Sequence, residues 1–241
     1  MTPPISAVWV YLSASPLLGL TATLLAYHLA YTLYARSGFN PLVNPVAISV
    51  AVLVLVLWGT NTTYQVYFEG AQFVHFLLGP ATVALAIPLY QQMKKLRRQW
   101  PAFLAGACAG SAAAVVTAMG VGKLLGASPA TLLSLAPKSV STPIAMGISE
   151  KIGGLPSLTA VLVIATGILG ATLARSVLDL MKVGDPAIRG FALGTAAHGI
   201  GTARAFQVSE EMGAFAGLAM GISGVITALL LPLGLRLSGW L

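Results

Sequence analysis

The chain has 241 residues, of which 57% are hydrophobic and only 8% charged, where a soluble domain carries about 25% charged residues. One soluble core cannot bury that much apolar surface, so a soluble enzyme, a disordered tail and a disulfide scaffold are excluded. The net charge of +7 does not point to nucleic acid, because no basic stripe with interleaved aromatics exists. The densest basic group, Lys94, Lys95, Arg97 and Arg98, sits beside apolar spans and reads as the cytoplasmic flank of a membrane protein. The single cysteine, Cys108, can form no internal disulfide and reads as a small packing residue. The expected fold class is an all-α integral membrane protein, a polytopic helical bundle.

A bilayer core of about 30 Å needs about 20 apolar helical residues. The first 35 residues lack the positive start of a cleavable signal, so the stretch Leu17–Ala35 reads as a retained first helix. The second span runs from about Pro45 to Gly59, after the two-proline turn FNPLVNP. NTTYQVYFEG (61–70) has the composition of a membrane interface. The third span, Ala71 to Met93, is interrupted near its middle at Leu78-Gly79-Pro80. The remaining spans are Pro101–Leu125, Pro156–Asp179 and Gly213–Leu235. The chain thus reads as a single membrane domain over 1–241, with N-terminal spans in 1–93, a basic cytoplasmic loop at 94–100 and C-terminal spans in 101–241. With 94–98 inside, Arg36, Arg175 and Lys182 also fall on the cytoplasmic side and the N-terminus lies outside.

Two regions, 136–154 and 190–212, fit neither spans nor aqueous loops. Shifted by 60 residues they align without a gap. Lys138–Gly153 reads KSVSTPIAMGISEKIG and His198–Gly213 reads HGIGTARAFQVSEEMG, with identity at Thr142/Thr202, Ala145/Ala205, Ser149/Ser209, Glu150/Glu210 and Gly153/Gly213. A fainter third copy falls at Gly79, Pro80 and Thr82. In the first copy Ser141 or Thr142 is the expected cap, Pro143 sits where a missing N–H costs nothing, and Gly153 is the stop. In the second, Gly201-Thr202 is the expected cap and Gly213 the stop. About ten residues at 1.5 Å each span half a bilayer. One full span between the copies reverses their direction, so two half-helices are expected to bring their N-termini together near mid-depth. Such broken helices from inverted repeats direct positive ends at an anionic group in transporter sites.

Lys138, His198 and Arg204 lie at those N-termini, where a cation is disfavoured unless an anion or acid joins it. The expected anion site is therefore Lys138, Ser139, Ser141, Thr142, His198, Thr202 and Arg204, with Gly199 and Gly201 allowing close backbone approach. Glu150, Glu210 and Thr82 are the expected coupling or gating positions. Structural readings stand beside these: Lys138 and Arg204 snorkelling to an interface, the hydroxyls bonding only within their helices, His198 packing as a neutral ring. Glu150 and Glu210, about 12 Å past the caps, belong to a mouth of the site or pair with Lys151 and Arg204. No phosphate loop, paired-His metal motif or nucleophile with a base appears, so neither an enzyme, a metal nor a cofactor is expected.

The stretches FLLGPATVALAIPLY, APKSVSTPIAMGISEKIGG, PSLTAVLVIATGILGA and IRGFALGTAAHGIGTARAF resemble the LrgB/CidB family of bacterial membrane proteins from about Pro16 to Pro232. Ser141 stands where threonine is usual in that family, and Ala197 where serine is usual. The resemblance implies either of two functions. One is an antiholin- or holin-like regulator of murein hydrolase activity and lysis, working with a small LrgA/CidA-type partner. The other is a carrier of glycolate, glycerate or pyruvate, as in the similar plastidal translocator. The derived anion site agrees with the carrier, and alternating access around the half-helices is the expected mechanism. The expected setting is the bacterial inner membrane, with a small carboxylate, lipid and possible further copies of the chain as partners, and no nucleic acid.

Overall fold

Among the described residues, hydrophobic runs punctuated by Pro, Gly and Ser become eleven helices and no strand. The computed structural model describes residues 16–40 and 42–240, without the side chains of Pro16, His75, Leu78 and Thr82; the expected gating hydroxyl of Thr82 thus lies outside the described residues. Among the described residues five helical stretches are long and apolar enough to cross a bilayer: Leu17–Arg36, Tyr64–Gln91, Met93–Leu124, Pro156–Leu180 and Glu210–Leu237. The chain is an all-α, multi-pass membrane protein. It divides into a unit up to residue 84 and a unit from Leu85 onward.

The first unit holds α1 (Pro16–Arg36), α2 (Pro45–Gly59), α3 (Tyr64–Phe76) and α4 (Leu78–Ala84). Asn44 caps α2, its Oδ1 accepting from the amides of Val46 (2.9 Å) and Ala47 (3.2 Å), and Pro45 takes the first helical position. At 15 residues, α2 reaches only about 22 Å and falls short of a full crossing. The segment 61–70, with its interfacial composition, is helical from Tyr64 onward. Tertiary contact stabilises it there, since the Thr23 and Tyr67 hydroxyls bond at 2.8 Å. A side chain at Gly19 would collide with the Tyr67 carbonyl.

The second unit holds α5 (Ala86–Gln91), α6 (Met93–Leu124), α7 (Pro129–Leu135), α8 (Thr142–Ile152), α9 (Pro156–Leu180), α10 (Pro186–Val208) and α11 (Glu210–Leu237). The loop expected at 94–100 does not exist: the basic residues form the first turns of α6, which continues through Pro101. Lys, Arg and Gln are good helix formers, and charge alone gave no reason for a loop. α6 and α11 run parallel. At one end Lys95 Nζ meets Glu211 Oε1 at 2.9 Å, and at the other Lys123 Nζ lies 5.8 Å from the Trp240 ring centroid. Between them Phe103 and Phe215 pack with centroids 4.9 Å apart.

Candidate functional site

The course of α10 follows from its neighbours along α11. Gly190 lies on the Met212 backbone and Gly194 on that of Ala216, so the first arm ascends beside α11. At His198 the backbone turns with φ 43° and ψ −132°, a region costly for any residue with a Cβ. The second arm descends, Thr202 lying by Gly217 and Phe206 against Gly213. α10 is therefore a re-entrant hairpin that enters and leaves at the Lys95 end. Its second arm starts three residues earlier than the expected Gly201-Thr202 cap. The expected stop at Gly213 is also displaced: the break falls at Ser209, whose hydroxyl caps α11 by accepting from Met212 N at 3.1 Å. Gly213 is buried inside α11, where close contact with Phe206 requires its missing side chain.

The first repeat copy makes the opposite hairpin. Leu132 and Leu135 of α7 pack on Gly122 near the Lys123 end. The chain turns at 136–141, and α8 returns with Ile144 against Gly224 and Ile148 and Ile152 in a core cluster with Leu231 and Leu235. α8 begins at Thr142 with Ser141 in the N-cap position and ends at Gly153 in the left-handed region, φ 83°, as the sequence indicates. The Ser141 hydroxyl accepts no cap hydrogen bond. The α7 arm itself, capped by Ser128, is absent from the sequence reading because seven residues give too little periodicity. Ser149, taken above as a repeat match, is structural. It accepts from Thr159 Oγ1 at 2.7 Å in a buried network that also fixes Leu155 N on Ser134 Oγ at 2.8 Å.

The two hairpin tips meet. The Ser139-Val140 tip and Thr195 of α10 share a small cavity with Ser111 of α6 and Ser223 and Thr227 of α11. It offers about 10 Å³ to the centre of a water-sized sphere, room for about one water. Beside it His198, only 3% exposed, lays its ring on Gly167, and Nε2 donates to the Val163 carbonyl at 2.9 Å. Thr202 Oγ1 donates to the His198 carbonyl at 2.9 Å, tying the turn to the second arm. Lys138 is half-buried, and its ammonium donates to Ser139 Oγ at 3.2 Å. Among the described residues no carboxylate forms an ion pair with it.

Of the expected site residues, Ser139 thus lines the junction with Lys138 bonded to it, His198 turns α10 three residues past Thr195 with Thr202 bonded to its carbonyl, and Ser141 and Thr142 are half-buried at the start of α8. Arg204 lies a turn and a half along the second arm and donates to Gln207 Oε1 at 3.2 Å. Gly199 is exposed, while Gly201 is buried on Leu193 and Ala197. Glu150 and Glu210 are exposed near opposite ends of the unit. Among the described residues no cluster of three His, Cys, Asp or Glu side chains could hold a metal.

Sequence reasoning missed Ser111, Thr195, Ser223 and Thr227, lone hydroxyls in apolar helices. Only the i, i+4 spacing of Ser223 and Thr227 was available as a signal. It also missed the clamp at the Lys95 end, where Lys95 Nζ binds Asp185 (2.9 Å) and Glu211 (2.9 Å). Asp185 caps α10 as well, accepting from Ala187 N at 2.8 Å and Ile188 N at 3.2 Å. The hydrogen bond from Lys95 holds the Asp185 carboxyl below its ordinary range, helped by those amides and opposed by partial burial.

These features define a multi-pass membrane protein built around two opposed re-entrant hairpins that meet at a cationic, hydroxyl-lined junction. Residues 23–237 match the model of the LrgB-like family, and the chain belongs to that family. It is 34% identical to the antiholin-like protein LrgB of Bacillus mycoides (strain KBAB4) and 33% identical to that of Bacillus cereus (strain B4264). Both alignments cover 91% of this chain and 95% of the relative. No solved structure matches the chain.

Proposed function

We propose that this chain is an antiholin-like protein of the bacterial inner membrane, working beside a small LrgA/CidA-type partner. Its molecular activity, in this reading, is the passage of a small monocarboxylate of the glycolate, glycerate or pyruvate class. The antiholin part rests on the names of the relatives. One observation carries the carrier part: Lys138, a half-buried cation in no ion pair among the described residues, lies in the turn of the first hairpin just before α8 begins, and its neighbour Ser139 shares a cavity with Thr195 of the second hairpin. Helix N-termini present free N–H groups and about half a positive charge each, so a carboxylate would relieve an otherwise uncompensated positive site. Hairpins entering from opposite ends give two separate gates around one locus, the geometry alternating access requires.

The relatives' names favour a regulator without substrate, acting by assembly, over the carrier. Uptake of labelled pyruvate and glycolate into proteoliposomes separates the two. Saturable uptake abolished by Lys138→Ala and by His198→Ala is the expected result. Solute leak indifferent to charge and unchanged in both variants would remove the carrier part and leave the regulator.

A further inference from the structure

A second, larger cavity lies between the Lys123-end halves of α6 and α11. Its volume is about 440 Å³, within the range of small-molecule sites, and its walls are almost wholly apolar: Val116, Met119, Ile226, Leu230 and Leu231 among them. It adjoins the hydroxyl cavity, Ser111, Val115 and Thr227 lining both. At that junction Ser111 Oγ and Ser223 Oγ are buried, at 7% and 1% exposure, without a hydrogen-bond partner among the described residues. Native proteins rarely leave such groups unsatisfied. Ser139 already accepts from Lys138, which leaves its own O–H free to donate. Three hydroxyl donors backed by an ammonium suit an anion rather than a cation.

We infer that the two cavities form one amphipathic site for a monocarboxylate carrying an unbranched alkyl tail. One oxygen of its carboxylate takes the water-sized polar cavity, received by Ser111, Ser139 and Ser223 beside Lys138, and its tail lies in the apolar cavity between α6 and α11. This deepens the carboxylate reading above and rests on it. A two- or three-carbon acid leaves most of the apolar cavity empty, so longer acids bind more tightly. Each buried methylene contributes about fourfold in affinity.

The test is binding of sodium acetate, butyrate and hexanoate to the chain in lipid nanodiscs, followed by calorimetry, with pyruvate uptake into proteoliposomes measured alongside. Affinity is expected to rise about 15-fold per two carbons. Val116→Trp, at an exposed wall position that tolerates a larger side chain, should flatten that slope. Ser111→Ala with Ser223→Ala should weaken all three acids by a similar factor, about tenfold, and keep the slope. Equal affinity for all lengths, a slope unchanged by Val116→Trp (tails dissolving in lipid), or indifference to the double serine variant (a cavity that merely holds water) would each overturn the inference. Pyruvate uptake persisting in any of those cases leaves the carrier reading standing. Absence of binding and uptake for every acid would refute both.

Discussion

Gly167→Ala is the sharpest probe of the junction. A Cβ at Gly167 would stand 2.7 Å from His198 Cε1, 3.0 Å from Nε2 and 2.8 Å from Ile200 Cδ1, whereas carbon atoms sit comfortably at about 3.5–4.0 Å. The imidazole cannot swing aside freely, because Nε2 is anchored on the Val163 carbonyl at 2.9 Å and its own backbone is held at φ 43°. Either the ring moves by about 1 Å and strains that hydrogen bond, or α9 and α10 separate. Overpacking of this kind costs about 1–3 kcal/mol, and a lost buried hydrogen bond adds about 1 kcal/mol. The expected destabilisation is therefore about 2–4 kcal/mol, with pyruvate uptake lost. The control is Gly147→Ala in α8, where a Cβ meets nothing within 4 Å. There the better helix propensity of alanine predicts no loss and a gain of up to about 1 kcal/mol. Thermal melting of both variants in nanodiscs decides the matter. If Gly167→Ala melts with the parent chain and still takes up substrate, the ring is not seated as described and the argument for a rigid His198 turn fails.

Gly194→Ala should be more damaging still, because its Cβ would overlap the Ala216 carbonyl, and backbone, unlike a side-chain tip, cannot rotate away; a fall in folded yield and melting temperature larger than that of Gly167→Ala is expected. At the Lys95 end, the depressed Asp185 carboxyl fixes the sign of the acid response. Its contribution is full above the ordinary carboxylate range near 4 and fades as the pH falls through the lower value it has in the folded chain. Asp185→Asn should flatten this acid limb in melts recorded from pH 6 to pH 3 and lower the melting point at pH 6, whereas an unchanged limb would show that the clamp with Lys95 adds nothing.

Much of this protein was legible in the residues themselves. Charge-free runs of membrane length marked five of the six expected spans, Pro45–Gly59 alone falling short, and Ser141, Pro143 and Gly153 marked both ends of α8, because caps, proline and left-handed glycine act within a few bonds of where they stand. The 60-residue echo located the second break to within three residues. What local signals could not give is where a side chain finds its partner. His198 turns the chain in a conformation its own residue type disfavours, and only Val163, Gly167 and Thr202 from around it explain why. Ser149 and Ser209 read alike in sequence, yet one is locked in a buried network and the other caps a helix. The serines at 111 and 223 carry no signature, since an isolated hydroxyl in an apolar helix is ordinary until two helices bring it opposite another. Periodicity and capping are properties of a segment and can be read along it. Burial, pairing and cavities are properties of segments brought together, and the packing of α6, α9, α10 and α11 alone decided them.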